Sequence, residues 1–249
     1  MGTSRSLLAG AAAMLLLLSG LGRAAAATDA EWLDVESRIQ YGYYTEDARA
    51  LEDVLASLGA DDSDPLERSY YRGLASFRLA LLSEARNSAT ARAPAEHCVA
   101  SLEQAVKDAP GSGESLALES ACLRVLARVR SIGGAYDGLR SNAQMRRALE
   151  LSPHSPRVQL LHAIGDHDLR RDPAQVIVEL NAAVAAFELE RQSVERPPSW
   201  GAAEAYAYLA RSLLERGDAL AARSALEHAL LLAPDFAYAH RLMAHITSG

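Results

Sequence analysis

The chain has 249 residues and a formal net charge of −7. That acid excess excludes a surface built for nucleic acid or for an anionic membrane. Two cysteines are too few for a disulfide-built scaffold, whereas a hydrophobic content of 49% is enough for a packed core.

The first element in chain order is a targeting segment. Arg5 gives a short positive start, Leu7 to Gly22 is apolar, and Ala24 to Ala27 is the small-residue pattern that a signal peptidase reads. Residues 1–27 are therefore expected to be a cleaved signal peptide, with Thr28 starting the mature chain. The apolar run is short for a membrane span, which needs about 20 residues. No twin arginine and no nearby cysteine point to another route or to a lipid anchor. Lys107 is the single lysine and every other basic side chain is arginine. This bias fits a GC-rich bacterial genome, so a Gram-negative periplasm, or secretion, is the expected location.

Residues 28–62 read as an atypical helical pair (30–39 and 46–58), with Thr45 as the expected cap of the second helix. They carry Trp32, Tyr41, Tyr43 and Tyr44. With Tyr70, Tyr71 and Phe77 these form an aromatic cluster, expected to be core, with a pocket as the alternative. Asp64-Pro65-Leu66-Glu67 then combines an acidic cap, a first-turn proline and a glutamate three places on. Ala93-Pro94 opens another helix, and Ser155-Pro156 and Asp172-Pro173 repeat the cap-then-proline device. Residues 83–92, 131–142 and 192–201 are expected to be inserted loops. No alternating β-branched runs and no Asn-Gly hairpins appear.

A short phrase recurs. AVKDAP ends at Pro110, ALELSP at Pro153 and ALLLAP at Pro234. Each places an alanine five residues before a proline, so that two helix backbones approach closely and the chain then turns. A weaker unit centres on Ala183 without a proline, its helix running on to Arg191. The units span 65–110, 114–153, 155–191 and 203–234, with a capping helix over 236–247. Ala203 to Pro234 is the most regular: an amphipathic helix, a Gly-Asp turn, a second amphipathic helix and a proline stop.

These residues resemble the tetratricopeptide repeat (TPR) family, whose period is about 34 residues. In the last unit Tyr206, Leu209-Ala210 and Leu213 take the first-helix places, and Ala222, Leu226, Ala229 and Pro234 the second-helix places. Tyr71, Leu74-Ala75, Cys98, Leu102, Ala105 and Pro110 match in the first unit. Leu118, Ala121-Cys122, Val125, Met145, Ala148 and Pro153 match in the next. The resemblance implies an all-α solenoid of about eleven helices. It also implies a groove, lined by the first helix of each pair, that takes a protein or peptide partner in extended or helical form. The corresponding face is expected to present Arg72, Ser76, Leu79, Glu119, Leu123, Leu126, Val158, His162, Arg211 and Leu214. It lacks the lysines and asparagines of the subset that clamps a C-terminal carboxylate.

No chemistry of catalysis is readable. The seven histidines form no HExxH motif, and His162 and Asp166, four apart, share a helix face without a visible third ligand. Gly111 to Gly113 lacks the lysine of a phosphate loop. Arg124, Arg128 and Arg130 read as a solvated face. Cys98 and Cys122 flank a turn at residues 111–113. Buried thiols are expected, with a bridge between them as the alternative. No cofactor, metal or catalytic residue is expected, no nucleic-acid partner, and no membrane span once the signal is removed. The function expected is an exported, non-enzymatic scaffold for protein–protein interaction in envelope assembly or transport. A small-ligand-binding accessory of a transporter is the alternative.

Overall fold

The structure, a computed structural model, describes residues 29–59, 65–193 and 198–248. The expected signal peptide and Asp64 lie outside these. Among the described residues there are eleven α-helices and no strand. They are α1 (residues 29–44), α2 (Ala48–Ser57), α3 (Pro65–Arg86), α4 (Arg92–Asp108), α5 (Gly113–Val129), α6 (Gly134–Leu151), α7 (Pro156–Asp168), α8 (Pro173–Arg191), α9 (Ala202–Glu215), α10 (Ala219–Leu232) and α11 (Ala237–Ser248). None is long and apolar enough to cross a membrane.

Local chemistry sets the helix starts. The side chains of Ser112, Ser155, Asp172 and Asp218 each accept a hydrogen bond from a backbone N–H in the first turn of the helix that follows. Pro156 and Pro173 sit at first-turn positions, where a missing N–H costs nothing. Asp47, not Thr45, caps α2 by accepting from Ala50 N at 3.1 Å. The Thr45 hydroxyl instead donates to Tyr41 O at 2.7 Å and finishes α1.

Consecutive helices pair: α3 with α4, α5 with α6, α7 with α8 and α9 with α10. Odd helices also pack on one another in order, α3 on α5, α5 on α7, α7 on α9 and α9 on α11. The result is a solenoid with the odd helices inside. Ala105, Ala148, Ala183 and Ala229 have no exposure at all. Each lies on the second helix of its pair, where a larger side chain would push the helices apart.

Two expected loops are shorter than the sequence suggests. Helix α3 runs on to Arg86, and a 3-10 turn (Ser88–Ala91) leads into α4. Most of 131–142 is helical, because Gly133 (φ +90°) and Gly134 start α6 instead of breaking the chain. A Cβ on Gly134 would lie 2.7 Å from Ala127 O, so glycine lets α6 begin directly against α5. Cys98 on α4 and Cys122 on α5 are joined as a disulfide with Cα atoms 6.1 Å apart, rather than remaining the buried thiols expected. Both point into the α4–α5 contact, where neither is exposed. The bridge spans a sequence separation of 24 residues, which restricts the unfolded chain by about 3.5 kcal/mol.

The alanine contacts give a direct test. Ala229→Trp overpacks the α9–α10 contact and should cost about 3 kcal/mol, the upper end for such changes, lowering Tm by roughly 6–12 °C. Arg223→Trp, on the exposed side of the same helix, should melt near wild type. Equal melting of Ala229→Trp and wild type would refute the close contact.

Candidate functional site

All six odd helices reach one concavity. Tyr43 of α1, Phe77 and Leu81 of α3, Val125 of α5, Ile164 of α7, Tyr208 of α9 and Tyr238 of α11 line a cavity of about 390 Å³. It is the remainder of a larger groove, because opposite walls touch. Arg78 of α3 donates to Glu204 of α9, and the two side chains are only 4% and 1% exposed. Glu204 also accepts from the Tyr44 hydroxyl at 2.8 Å. The Arg78 guanidinium lies 4.1 Å over the Tyr43 ring and 5.0 Å over Trp200. Tyr44 packs on Phe236 at 4.6 Å.

Trp200, just before α9, plugs the same space. Trp200 is buried and donates to the Tyr70 hydroxyl at 2.9 Å. Its carbonyl accepts from Arg157, which also pairs with Glu114 and Glu190. One residue earlier, the Ser199 N–H and hydroxyl donate to Glu36 of α1 at 2.9 and 2.6 Å. Burial holds the Glu36 carboxyl above its usual range, against these hydrogen bonds. Gly201 (φ +117°) follows, and a Cβ there would strike the Phe187 ring at 2.5 Å. Trp200 thus lines both the cavity and a second recess of about 720 Å³ beside α1.

The cavity walls are charged in pairs. Arg128 donates to both oxygens of Glu84 at 2.8 Å and to Asp168 at 3.1 Å. Arg211 pairs with Glu215 at 3.1 Å and Arg241 with Glu46 at 2.6 Å. Among the described residues Arg124 has no carboxylate at ion-pair distance and donates instead to Ser120 Oγ (3.3 Å) and Leu161 O (3.0 Å). Burial pulls its pKa down to about 10, and burial pushes Tyr43 up to about 12. At neutral pH Tyr43 is therefore uncharged. Among the described residues no nucleophile with an adjacent base lines the cavity.

No protein-family model matches the chain, and no curated protein matches it. A solved structure does: the crystal structure of TTC0263, a thermophilic TPR protein in Thermus thermophilus. The TM-score is 0.55 at 15% identity, over 89% of this chain and 100% of that one. The fold is TPR-like.

In that TPR-like frame most of the expected partner face is elsewhere. Ser76, Glu119, Leu123, Leu126 and Val158 are buried between helices. Glu119 is held by Gln144 and Arg140 of α6. Arg72 is exposed but reaches the carbonyl of Gly59 beyond α2. Leu79 and Leu214 are half-buried against the core, and His162 faces Glu179 of α8. Of the ten, Arg211 lines the cavity. The lining stripe (77, 78 and 81 on α3; 124, 125 and 128 on α5) sits one or two positions further along each helix. At about 100° per residue, that turns the predicted face into the wall between repeats. Of the three arginines expected on a solvated face, Arg128 is exposed and Arg130 is partly exposed and paired with Glu96 and Asp137, whereas Arg124 turns inward to Ser120 and Leu161.

Arg78 and Glu204 were legible only as oddities: a lone arginine in GLASFRLALL and a lone acid in AAEAYAYLA. The aromatic cluster divides. Trp32 stacks on Tyr71 at 5.3 Å in the core, whereas Tyr43 and Phe77 line the cavity and Tyr41 is exposed.

The charges of these walls can be tested in two ways. Glu204→Gln leaves Arg78 buried without a carboxylate and should cost about 3–5 kcal/mol. Adding Arg78→Met should recover more than half of that in urea unfolding. A single variant as stable as wild type would show that the walls are held by other contacts. The second test concerns His167, whose Nε2 lies 2.9 Å from Glu215 Oε2 and whose Nδ1 lies 3.9 Å from Asp168. Asp168 and then Glu215 raise its pKa above 6.5, against burial. The stability it adds is complete below the unfolded value near 6.5 and is lost as pH rises through the higher folded value. Thermal melts at about pH 6 and pH 8.5 should therefore diverge more for wild type than for His167→Gln; parallel profiles would remove the link.

Proposed function

We propose that this TPR-like chain is an exported, non-enzymatic scaffold that binds a partner protein at the mouth of the concave cavity. The observation that carries the reading is the convergence of six inner helices on one opening rimmed by tyrosine and arginine, the residue types that dominate binding energy at protein interfaces. Tyr208, Tyr238, Arg211 and Arg241 lie together there. The pre-paired arginines bring rigid, oriented donors to the rim.

Size limits the occupant. The cavity measures about 390 Å³. A short extended segment or a side-chain cluster of the partner fits. The same volume supports a second reading, a small-molecule site, because such sites span about 300–1,000 Å³. Export rests on the sequence of residues 5–27, and under it either ligand would be met in the periplasm or outside the cell.

Affinity capture from periplasmic extract with the purified chain is the test. Arg211→Glu reverses charge beside Tyr208 and Tyr238 and should weaken capture of a specific partner at least about 10-fold, with Tm close to wild type. Undiminished capture would move the interface off this rim. A co-purifying small molecule lost in the same variant would favour the second reading, and a chain retained in the cytoplasm with residues 1–27 intact would overturn export.

A further inference from the structure

The repeat made by α7 and α8 departs most from its neighbours. It lacks the closing proline, and along its 19 residues α8 buries only Val176, Leu180, Ala183 and Phe187. Val178 and Leu189 of the same helix are exposed. On the side of this pair away from the cavity, His162 and Asp166 lie one turn apart on α7 and Glu179 faces them from α8. One ligand atom from each of the three lies within 4.8 Å of the others.

The polar atoms of this cluster are not satisfied by one another. His162 Nδ1 and Glu179 Oε2 are 3.8 Å apart, too far for a hydrogen bond. Glu179 Oε2 is buried and has no hydrogen-bond partner. A buried acceptor left so is costly. The other oxygen, Oε1, accepts from Gln175 Nε2 at 3.0 Å, which fixes the carboxylate with Oε2 toward His162. Such an outer hydrogen bond is how metal-binding carboxylates are held. The Asp166 carboxylate makes no hydrogen bond or ion pair among the described residues, and its backbone carbonyl closes the end of α7 by accepting from Arg171 N. Two ligand bonds of about 2.1 Å at a tetrahedral centre bring their donors to about 3.4 Å. A shift of a few tenths of an ångström would bring the His162–Glu179 pair there.

We propose that His162, Asp166 and Glu179 bind a divalent cation that staples α7 to α8. One imidazole with two carboxylates suits Zn²⁺, whereas Mg²⁺ and Ca²⁺ favour all-oxygen sets. Water completes the coordination on the open side. Arg124 lies within Coulombic reach of Asp166, so the site is weaker than a closed four-ligand centre. The staple acts on stability. It braces the least regular repeat, whose inner helix carries Leu161 and Ile164 to the cavity wall.

The test uses the untagged chain after chelator treatment, titrated with Zn²⁺ by calorimetry and with Co²⁺ by visible absorption. Wild type should bind one ion with a Kd of about 10 μM or tighter. A saturating excess should raise Tm by about 5 °C. Glu179→Gln keeps the side-chain shape and should weaken binding at least about 10-fold, as should His162→Ala. His154→Ala, exposed on the α6–α7 turn, should bind like wild type. Absence of one-to-one binding in wild type would overturn the site. So would undiminished binding in both Glu179→Gln and His162→Ala, or an equal loss in His154→Ala.

Discussion

The pair Arg78–Glu204 is the interaction on which the shape of this molecule turns. A stack of helix pairs has no intrinsic reason to close, because each repeat contacts only its neighbours. Here a guanidinium on the second inner odd helix meets a carboxylate on the fifth, across the concavity, with both charges removed from water. Two such charges persist in the interior only together. The surrounding contacts follow from that pairing. Tyr44 donates to the second oxygen of Glu204, and Tyr43 and Trp200 cover the faces of Arg78. The segment after α1 and the last helix, α11, are thereby brought together, with Glu46 and Arg241 forming an ion pair at the rim.

Closure changes what the groove can hold. An open TPR-like surface would offer a trough long enough for a helix. In this chain Trp200 and α1 occupy part of it, and the remaining space is a cavity with one rim. The rim's Arg211 and Arg241 are already paired, so a partner there would meet fixed hydrogen-bond donors instead of mobile charges. Fixed donors lose less entropy on binding. They also discriminate more sharply by geometry, since an arginine already bonded to a carboxylate has fewer directions left to donate.

What could be read from the sequence was local or periodic. Ala105, Ala148, Ala183 and Ala229 marked the second helices, because a small residue is needed at each close approach regardless of what lies farther away. Ser155-Pro156 and Asp172-Pro173 marked starts for the same reason. Two features differ from the local reading. Gly133-Gly134, within the expected loop 131–142, serves to let α6 start against α5. Register on the inner helices is the larger difference. A shift from residue 76 to 77 and 78, or from 123 to 124 and 125, turns a face by about 100–200°, and nothing local distinguishes a small residue facing a neighbouring repeat from one facing the groove. Cys98 and Cys122 were near the limit of such reasoning. Their spacing allowed a bridge, but only the direction of both side chains into the α4–α5 contact decides it.

The unread part was long-range. Arg78 and Glu204 are 126 positions apart, and each was visible in the sequence only as a charge in an apolar run. Two isolated opposite charges on inner helices of one array are a signal of a particular kind. Burying either alone would cost several kcal/mol, so each must meet a partner or stay exposed. Exposure would require the apolar residues around them, Phe77 and Leu81 on one side and Ala203 and Ala205 on the other, to face water as well. Pairing across the concavity satisfies both demands at once. The carboxylate of Glu119 on α5 is met by Gln144 and Arg140 of the neighbouring α6, whereas Glu204 is met across the concavity, and the small concave cavity is the geometric consequence of that difference.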